Sequence, residues 1–346
     1  MPTSRLAYRL SAGNRADLIA REEMLAPPAA GEVQIVVHAI GLNFADVFSV
    51  WGLYSATPKG AFVPGLEVAG IITEVGEGVA SSRIGERVYG VTRFGAYATA
   101  LNLDARYALP LPSDWSFAEG AAFPVQALTA YYGLVTLGNV EAGQQALVHS
   151  AAGGVGVWAG RICRQLGVRV VGTVGHVDKV AFAKTEGYDE VTVRPRDAST
   201  LGRVLATAAK PAAGYNVIME ATGGKVLEES FKLLLPEGRM VVYGSAHFAS
   251  TAAKPNKVRL LLKYLRRPRL DPQAMIAENK GVLAFNLIWL YEQTEKMLTL
   301  LTAVHQLDLG PPHIGHEFMF ADLPEAVKTL QGGRTVGKVI VNVSSS

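Results

Sequence analysis

Sulfur chemistry is what this sequence has least room for. Cys163 is the single cysteine among 346 residues, so no disulfide forms within the chain and every cysteine-rich metal pattern is excluded. Long apolar runs are missing as well. The longest, Val282 to Tyr291, is about half the ~20 residues that span a bilayer, and is expected to be a buried strand or helix. Met1-Pro-Thr-Ser-Arg5 leads into no unbroken apolar segment of the kind a signal peptide carries, so a cytoplasmic location is the expectation. Charge of one sign is scarce too: 33 Lys and Arg against 30 Asp and Glu leave a net charge of +3, too small for a nucleic-acid binder.

The composition that remains is globular, with 49% apolar residues, 18% charged residues and 36 glycines, and the glycines point to many tight βα turns. A chain of this length exceeds what one core serves, so two domains are expected. Glu32 to Gly41 alternates polar and apolar positions as a half-buried strand does. Between Val63 and Val88, short apolar segments separated by Pro64-Gly65, Gly76-Glu-Gly78 and Gly85 fit a compact, partly open barrel. From about Phe117 the texture changes to Ala-rich helical stretches alternating with short strands at Ala146–His149, Val168–Thr173, Asn216–Met219 and Met240–Tyr243. That alternation predicts a doubly wound parallel sheet, making the chain α/β. A helix near Leu323–Leu330 and a last strand over Gly337–Val343 return to the first domain.

Strand Ala146–His149 runs into Ser150-Ala-Ala-Gly-Gly-Val-Gly156 and then into a helical segment. Glycines there let the backbone approach a pyrophosphate, and the following helix offers free N–H groups, so Ala152, Gly153, Gly154, Val155 and Gly156 are read as a dinucleotide cradle. The first glycine of the usual fingerprint is replaced by Ala151. One absence bears on which dinucleotide fits: no acidic residue occurs from Val168 through Val177, where a carboxylate would hold the ribose 2′-OH of NAD. Thr173 ends that strand, and His176, Lys179 and Arg194 are candidates to face a 2′-phosphate. The reading is NADPH.

Several motifs carry a resemblance. Val63-Pro-Gly-Leu-Glu-Val-Ala-Gly-Ile-Ile-Thr-Glu-Val-Gly-Glu-Gly78, Gly85-Glu-Arg-Val88, Gly95-Ala-Tyr-Ala98, Ala151–Gly156 and Gly337-Lys-Val-Ile340 resemble the medium-chain dehydrogenase/reductase pattern, in order and over nearly the whole chain. The resemblance implies a GroES-like, partly open β-barrel catalytic domain built from both chain ends, residues 1–124 and 290–346, around a Rossmann NADPH-binding domain at 125–289. At Gly41-Leu-Asn-Phe-Ala-Asp46 and Gly65-Leu-Glu67, where zinc alcohol dehydrogenases carry ligands, Cys and His are absent; no metal site is expected. Asn43 with Asp46, Trp51-Gly-Leu-Tyr54 and Tyr131-Tyr132 look like the zinc-independent quinone oxidoreductase (zeta-crystallin) pattern, with Phe48 as a departure where some relatives carry tyrosine. Asn279-Lys-Gly-Val-Leu-Ala-Phe-Asn-Leu-Ile-Trp-Leu290 is similar to the VAT-1-like branch.

What this implies is hydride transfer to a quinone or an α,β-unsaturated carbonyl. Asn43 and Tyr54 are the candidates to hydrogen-bond the oxygen that gains charge. Phe48, Trp51, Phe62 and Tyr132 are the expected substrate pocket. Gly244 and Ser245 are placed near the nicotinamide, and Lys338 near the cofactor phosphates. Other readings stand beside this one: a dinucleotide-bound, lipid-associated protein with weak catalysis, or a tailoring reductase with a dedicated substrate. Val282–Leu287 is the expected homodimer edge, since exposed sheet edges are better paired than open. Between Lys254 and Arg269 lie seven cations and no acid, with Val258, Leu261, Leu262 and Leu265 at helical spacing. A basic amphipathic helix there would contact an anionic membrane or admit a lipophilic substrate, or else pack on the Rossmann domain.

Overall fold

The computed structural model describes residues 2–195 and 197–343, apart from the side chains of residues 198 and 199. The first part of the chain is almost all strand: β1 (Thr3–Ser11), β2 (Ile19–Leu25), β3 (Glu32–Leu42), β4 (Ala61–Phe62), β5 (Glu67–Val75), β6 (Arg87–Val91), β7 (Ala100–Asp104) and β8 (Ala108–Pro110), interrupted by one helix, α1 (Phe44–Val50). Next come α2 (Phe117–Ala122), α3 (Pro124–Tyr131), β9 (Gln145–His149), α4 (Gly154–Gln165), β10 (Arg169–Val174), α5 (Lys179–Thr185), β11 (Glu190–Val193), α6 (Ala198–Ala209), β12 (Tyr215–Glu220), α7 (Lys225–Lys232) and β13 (Leu234–Val242). The remainder is α8 (Lys257–Leu265), α9 (Pro272–Glu278), β14 (Gly281–Ala284), α10 (Thr294–Gln306), β15 (Ile314–Met319), α11 (Leu323–Gln331) and β16 (Lys338–Asn342).

A seven-stranded sheet has the order β15-β16-β3-β5-β6-β8, with β7 also on β3, so strands from both ends of the chain share it. Strand β3 is more buried than its alternating sequence suggests, because β5, β7 and β16 all pair with it and α2 packs over it. The second sheet has the order β11-β10-β9-β12-β13-β14, every pair parallel. The strand order reverses between β9 and β12, and a ligand crevice lies outside the carboxyl ends of such strands at that point. The fold is therefore a GroES-like domain with a Rossmann-type sheet.

The run from Val282 to Tyr291 is not a single buried element, contrary to expectation. It divides into edge strand β14 and a 3₁₀ turn over 287–292, and only Ile288 and Leu290 of the run are buried. Gly337 N, beside the last strand, donates to Ala152 O at 2.8 Å, and Phe123 stands edge-on to both Trp115 and Trp158 at 5.3 Å. No helix among the described residues is long and apolar enough to cross a membrane.

Candidate active site

The turn after β9 explains its own sequence. Ser150, not the alanine that follows, takes the left-handed conformation, with φ of 60°, and Ala151 N donates to Thr173 O at 2.9 Å. The methyl of Ala151 fits because its neighbour on β10 is Gly172, where a Cβ would lie 2.7 Å from it. A Cβ at Gly154 would lie 1.7 Å from Gln126 Oε1, and one at Gly156 would meet the carbonyl oxygens of Ser150 and Ala151 at 2.4 and 2.5 Å. Backbone thus requires glycine at 156 for α4 to begin flush on the turn, its N–H groups open to the crevice, whereas a side chain at 154 would have to displace the Gln126 amide.

The crevice is a cavity of about 1190 Å³ that runs without a break from this turn to α1, and no carboxylate among the described residues lines it. Of the residues the sequence assigned to the cofactor, Ala152, Gly153, Gly154, Val155, Gly156, Lys179, Arg194, Gly244 and Ser245 line it. Lys179 Nζ donates to Thr335 O at 2.8 Å and retains hydrogen-bonding capacity, since an ammonium has three N–H groups. Arg194, from the end of β11, donates to Thr222 Oγ1 at 3.3 Å beside Glu220. Glu220 is fully buried and accepts from Thr222 N and Gly223 N at 2.8 and 2.9 Å; burial pushes its pKa up, against the pull of those N–H groups and of Arg194. An acid-free wall with two cations and an open helix N-terminus fits a phosphorylated dinucleotide.

Three cofactor assignments need correction. Thr173 is fully buried with its hydroxyl 2.9 Å from His149 Nδ1, and burial holds that imidazole neutral, at a pKa of about 3. His176 is exposed and outside the cavity. Lys338 is only 1% exposed; its ammonium is taken up by Glu67 and by Asn43 Oδ1, beneath the cavity wall and not on it.

Asn43, Tyr54 and Phe48 line the substrate end. Asn43 is the N-cap residue of α1, and its Nδ2 donates to Glu67 Oε1 at 2.6 Å. Tyr54 donates its hydroxyl to Asn286 Oδ1 at 2.6 Å, and burial pushes its pKa up to about 12. The other three pocket assignments are corrected. Trp51 turns inward and donates Nε1 to Ala253 O at 3.0 Å; Phe62 stands edge-on to Phe94 at 5.4 Å; Tyr132 packs edge-on against Phe285 at 5.1 Å. None of the three reaches the cavity. Gln126 and Thr129 of α3 and Asn286 are cavity residues that the sequence reading missed, while Leu260, Leu261 and Tyr264 bring the basic helix α8 to the cavity. The signal for the first two was present: polar residues three apart on an otherwise apolar helix share a face.

The fold and this crevice define a two-domain dinucleotide oxidoreductase. Two family profiles match the chain, described as "Alcohol dehydrogenase GroES-like domain" over residues 29–113 and "Zinc-binding dehydrogenase" over residues 154–267. Among the described residues, no group of three His, Cys, Asp or Glu is placed to hold a metal ion. The human synaptic vesicle membrane protein VAT-1 homolog is 32% identical over 91% of this chain and 80% of its own length. The crystal structure of Escherichia coli quinone oxidoreductase complexed with NADPH superposes with a TM-score of 0.83, at 26% identity over 98% of this chain and 100% of that one. The CurK enoyl reductase superposes with a TM-score of 0.81, at 26% identity over 99% of this chain and 100% of that one. The chain belongs to the medium-chain dehydrogenase/reductase superfamily of oxidoreductases, in its VAT-1-like branch.

Proposed function

We propose that the chain is an NADPH-dependent reductase of quinones or α,β-unsaturated carbonyl compounds that works without zinc. The observation that carries this reading is the unbroken, acid-free cavity joining the glycine turn, Lys179 and Arg194 to Asn43 and Phe48. NADPH, the cofactor of the E. coli relative, supplies hydride when bound. The glycine turn and the start of α4 would hold its pyrophosphate, Lys179 and Arg194 its 2′-phosphate, and Gly244 and Ser245 the nicotinamide end. The chain's own part in the chemistry is to bind an apolar substrate against Phe48 and Phe285 and to present N–H to its carbonyl oxygen. Tyr54 serves the substrate only after its hydroxyl leaves Asn286, so its contribution is the smaller.

The test is cofactor oxidation, followed by absorbance, with NADPH and NADH in parallel against a panel of quinones and enones. NADPH-selective turnover should fall on the order of 100-fold in Asn43→Ala and about tenfold in Tyr54→Phe. Equal rates with both cofactors would sink the 2′-phosphate assignment, and no turnover across the panel would sink the reductase reading. A second, compatible reading is peripheral contact with an anionic membrane through α8, supported by its outward apolar stripe: Val258, Leu261, Leu262 and Leu265 are each about half exposed or more. We also propose a homodimer through β14, which is paired on one side only.

A further inference from the structure

Asn43 is gripped by groups whose hydrogen-bonding polarity is fixed by chemistry. Lys338 Nζ, a donor only, lies 2.9 Å from Asn43 Oδ1. Glu67 Oε1 accepts from Asn43 Nδ2 at 2.6 Å and pairs with the same ammonium. A flipped amide would set N–H against an ammonium and carbonyl oxygen against a carboxylate, so a single orientation survives. The other oxygen of Glu67 accepts from Val125 N at 2.9 Å, in the first turn of α3, which anchors the carboxylate independently of Asn43. Glu67 and Lys338 are 0% and 1% exposed, so their charges act on the amide in a low-dielectric surrounding. This grip uses Oδ1 and one N–H. The second N–H has no protein partner among the described residues, on a side chain that lines the cavity.

We propose that the buried Lys338–Glu67 pair is a positioning device that holds Asn43 as a one-way hydrogen-bond donor to the substrate's carbonyl oxygen. This rests on the reductase reading. When hydride adds to the β-carbon of an enone, a C–H bond forms there, the carbon–carbon π pair shifts, and the carbonyl π pair moves onto oxygen; the resulting enolate takes its proton from water. The dinucleotide is oxidised and the enone reduced. An amide held with its N–H toward the cavity stabilises that oxygen without reorganising as charge develops. An unrestrained amide would present carbonyl oxygen part of the time.

The test uses Lys338→Met with Glu67→Gln, removing both charges together so that neither is left buried and unpaired, with the thermal midpoint confirming folding. The expected result is a kcat lowered on the order of 100-fold with KM and NADPH affinity within about twofold. A kcat within about fivefold of wild type in the folded double variant would overturn positioning as the cause. A second readout does not need turnover: p-nitrophenolate as an oxyanion probe against uncharged p-nitroanisole, titrated into the protein with NADP⁺. The wild type should prefer the phenolate, and the double variant and Asn43→Ala should each lose about tenfold of that preference. Retained preference in Asn43→Ala, which leaves the pair in place, overturns the proposal whether or not the double variant folds. A tenfold loss of NADPH affinity in the double variant would also overturn it, returning Lys338 to the phosphates. Phenolate preference without turnover of any enone or quinone would refute the reductase reading while leaving the positioning of Asn43 standing.

Discussion

Asp46 sits directly below this site with a carboxylate that is 0% exposed. Its Oδ2 accepts from Asn43 N at 2.8 Å and from the Tyr97 hydroxyl at 3.0 Å, while Oδ1 has no partner among the described residues. Burial drives its pKa up from an ordinary 3.8 to about 7, outweighing those two hydrogen bonds and the attraction of Lys338. A carboxyl with a raised native pKa binds its proton more tightly when folded, so its ionisation costs stability progressively as pH rises from about 4 to about 7, and fully above that. Asp46→Asn should therefore raise the thermal midpoint at about pH 8, with the gain shrinking toward pH 5; a gain independent of pH would show that Asp46 does not titrate there. At this scale the sequence was readable for identity and poor for direction. Asn43, Tyr54 and Phe48 were found, but Trp51, Phe62 and Tyr132 lie just as close to the motifs and point elsewhere, because neighbours along a strand or helix face opposite ways. Lys338 was legible in a way not used: a lone cation heading the apolar run Val-Ile-Val, and Glu67 a lone anion heading Val-Ala-Gly-Ile-Ile, imply a buried pair because neither charge is stable alone in a core.

Helix α8 shows the same limit one level up. Its period is plain in the sequence, and period alone says that a stripe exists, not whether it faces the core. No residue of α8 is buried. Val258, Leu261, Leu262 and Leu265 are 70%, 57%, 48% and 59% exposed, so the stripe is not what holds the helix to the Rossmann domain; half-buried Leu260 and Lys263, which donates to His247 O, make that contact. Leu260, Leu261 and Tyr264 also line the cavity, which puts the stripe at its mouth. Sedimentation with vesicles should show binding to anionic and not to neutral bilayers. Reversing Lys257, Arg259 and Arg266 to Glu should weaken it on the order of 100-fold, at about 1 kcal/mol per lost cation; binding indifferent to lipid charge or to these changes would remove the membrane reading. Elements with glycine turns at both ends were the legible ones. Strands β9, β10 and β12 fall within a residue or two of their expected bounds, whereas β1 and β2, whose polar residues pair across the strands as Arg5 does with Glu23 at 2.6 Å, gave no apolar pattern to read.

In the molecule as a whole, strand β14 is one edge of the six-stranded sheet, β11 being the other. Leu283 on it packs into neither core cluster and lies outside the cavity, so Leu283→Lys leaves the β13 pairing intact and places a charge on that edge. Light scattering should show the proposed dimer for the wild type and a 36.8 kDa monomer for the variant; a monomeric wild type would remove the homodimer, and a dimeric variant would remove β14 as its interface. The two-domain plan was legible because glycine placement and strand spacing report it locally. The meeting of distant segments was not, since nothing in Lys338 says that its partner lies 271 residues earlier. That separation has a consequence for the order in which a growing polypeptide matures. Glu67 leaves the ribosome long before Lys338, with the entire nucleotide-binding sheet synthesised in between. Until β16 threads in beside β3, Glu67 has no cation to meet and must stay hydrated, so the barrel's interior seals last, after the neighbouring domain has had time to form.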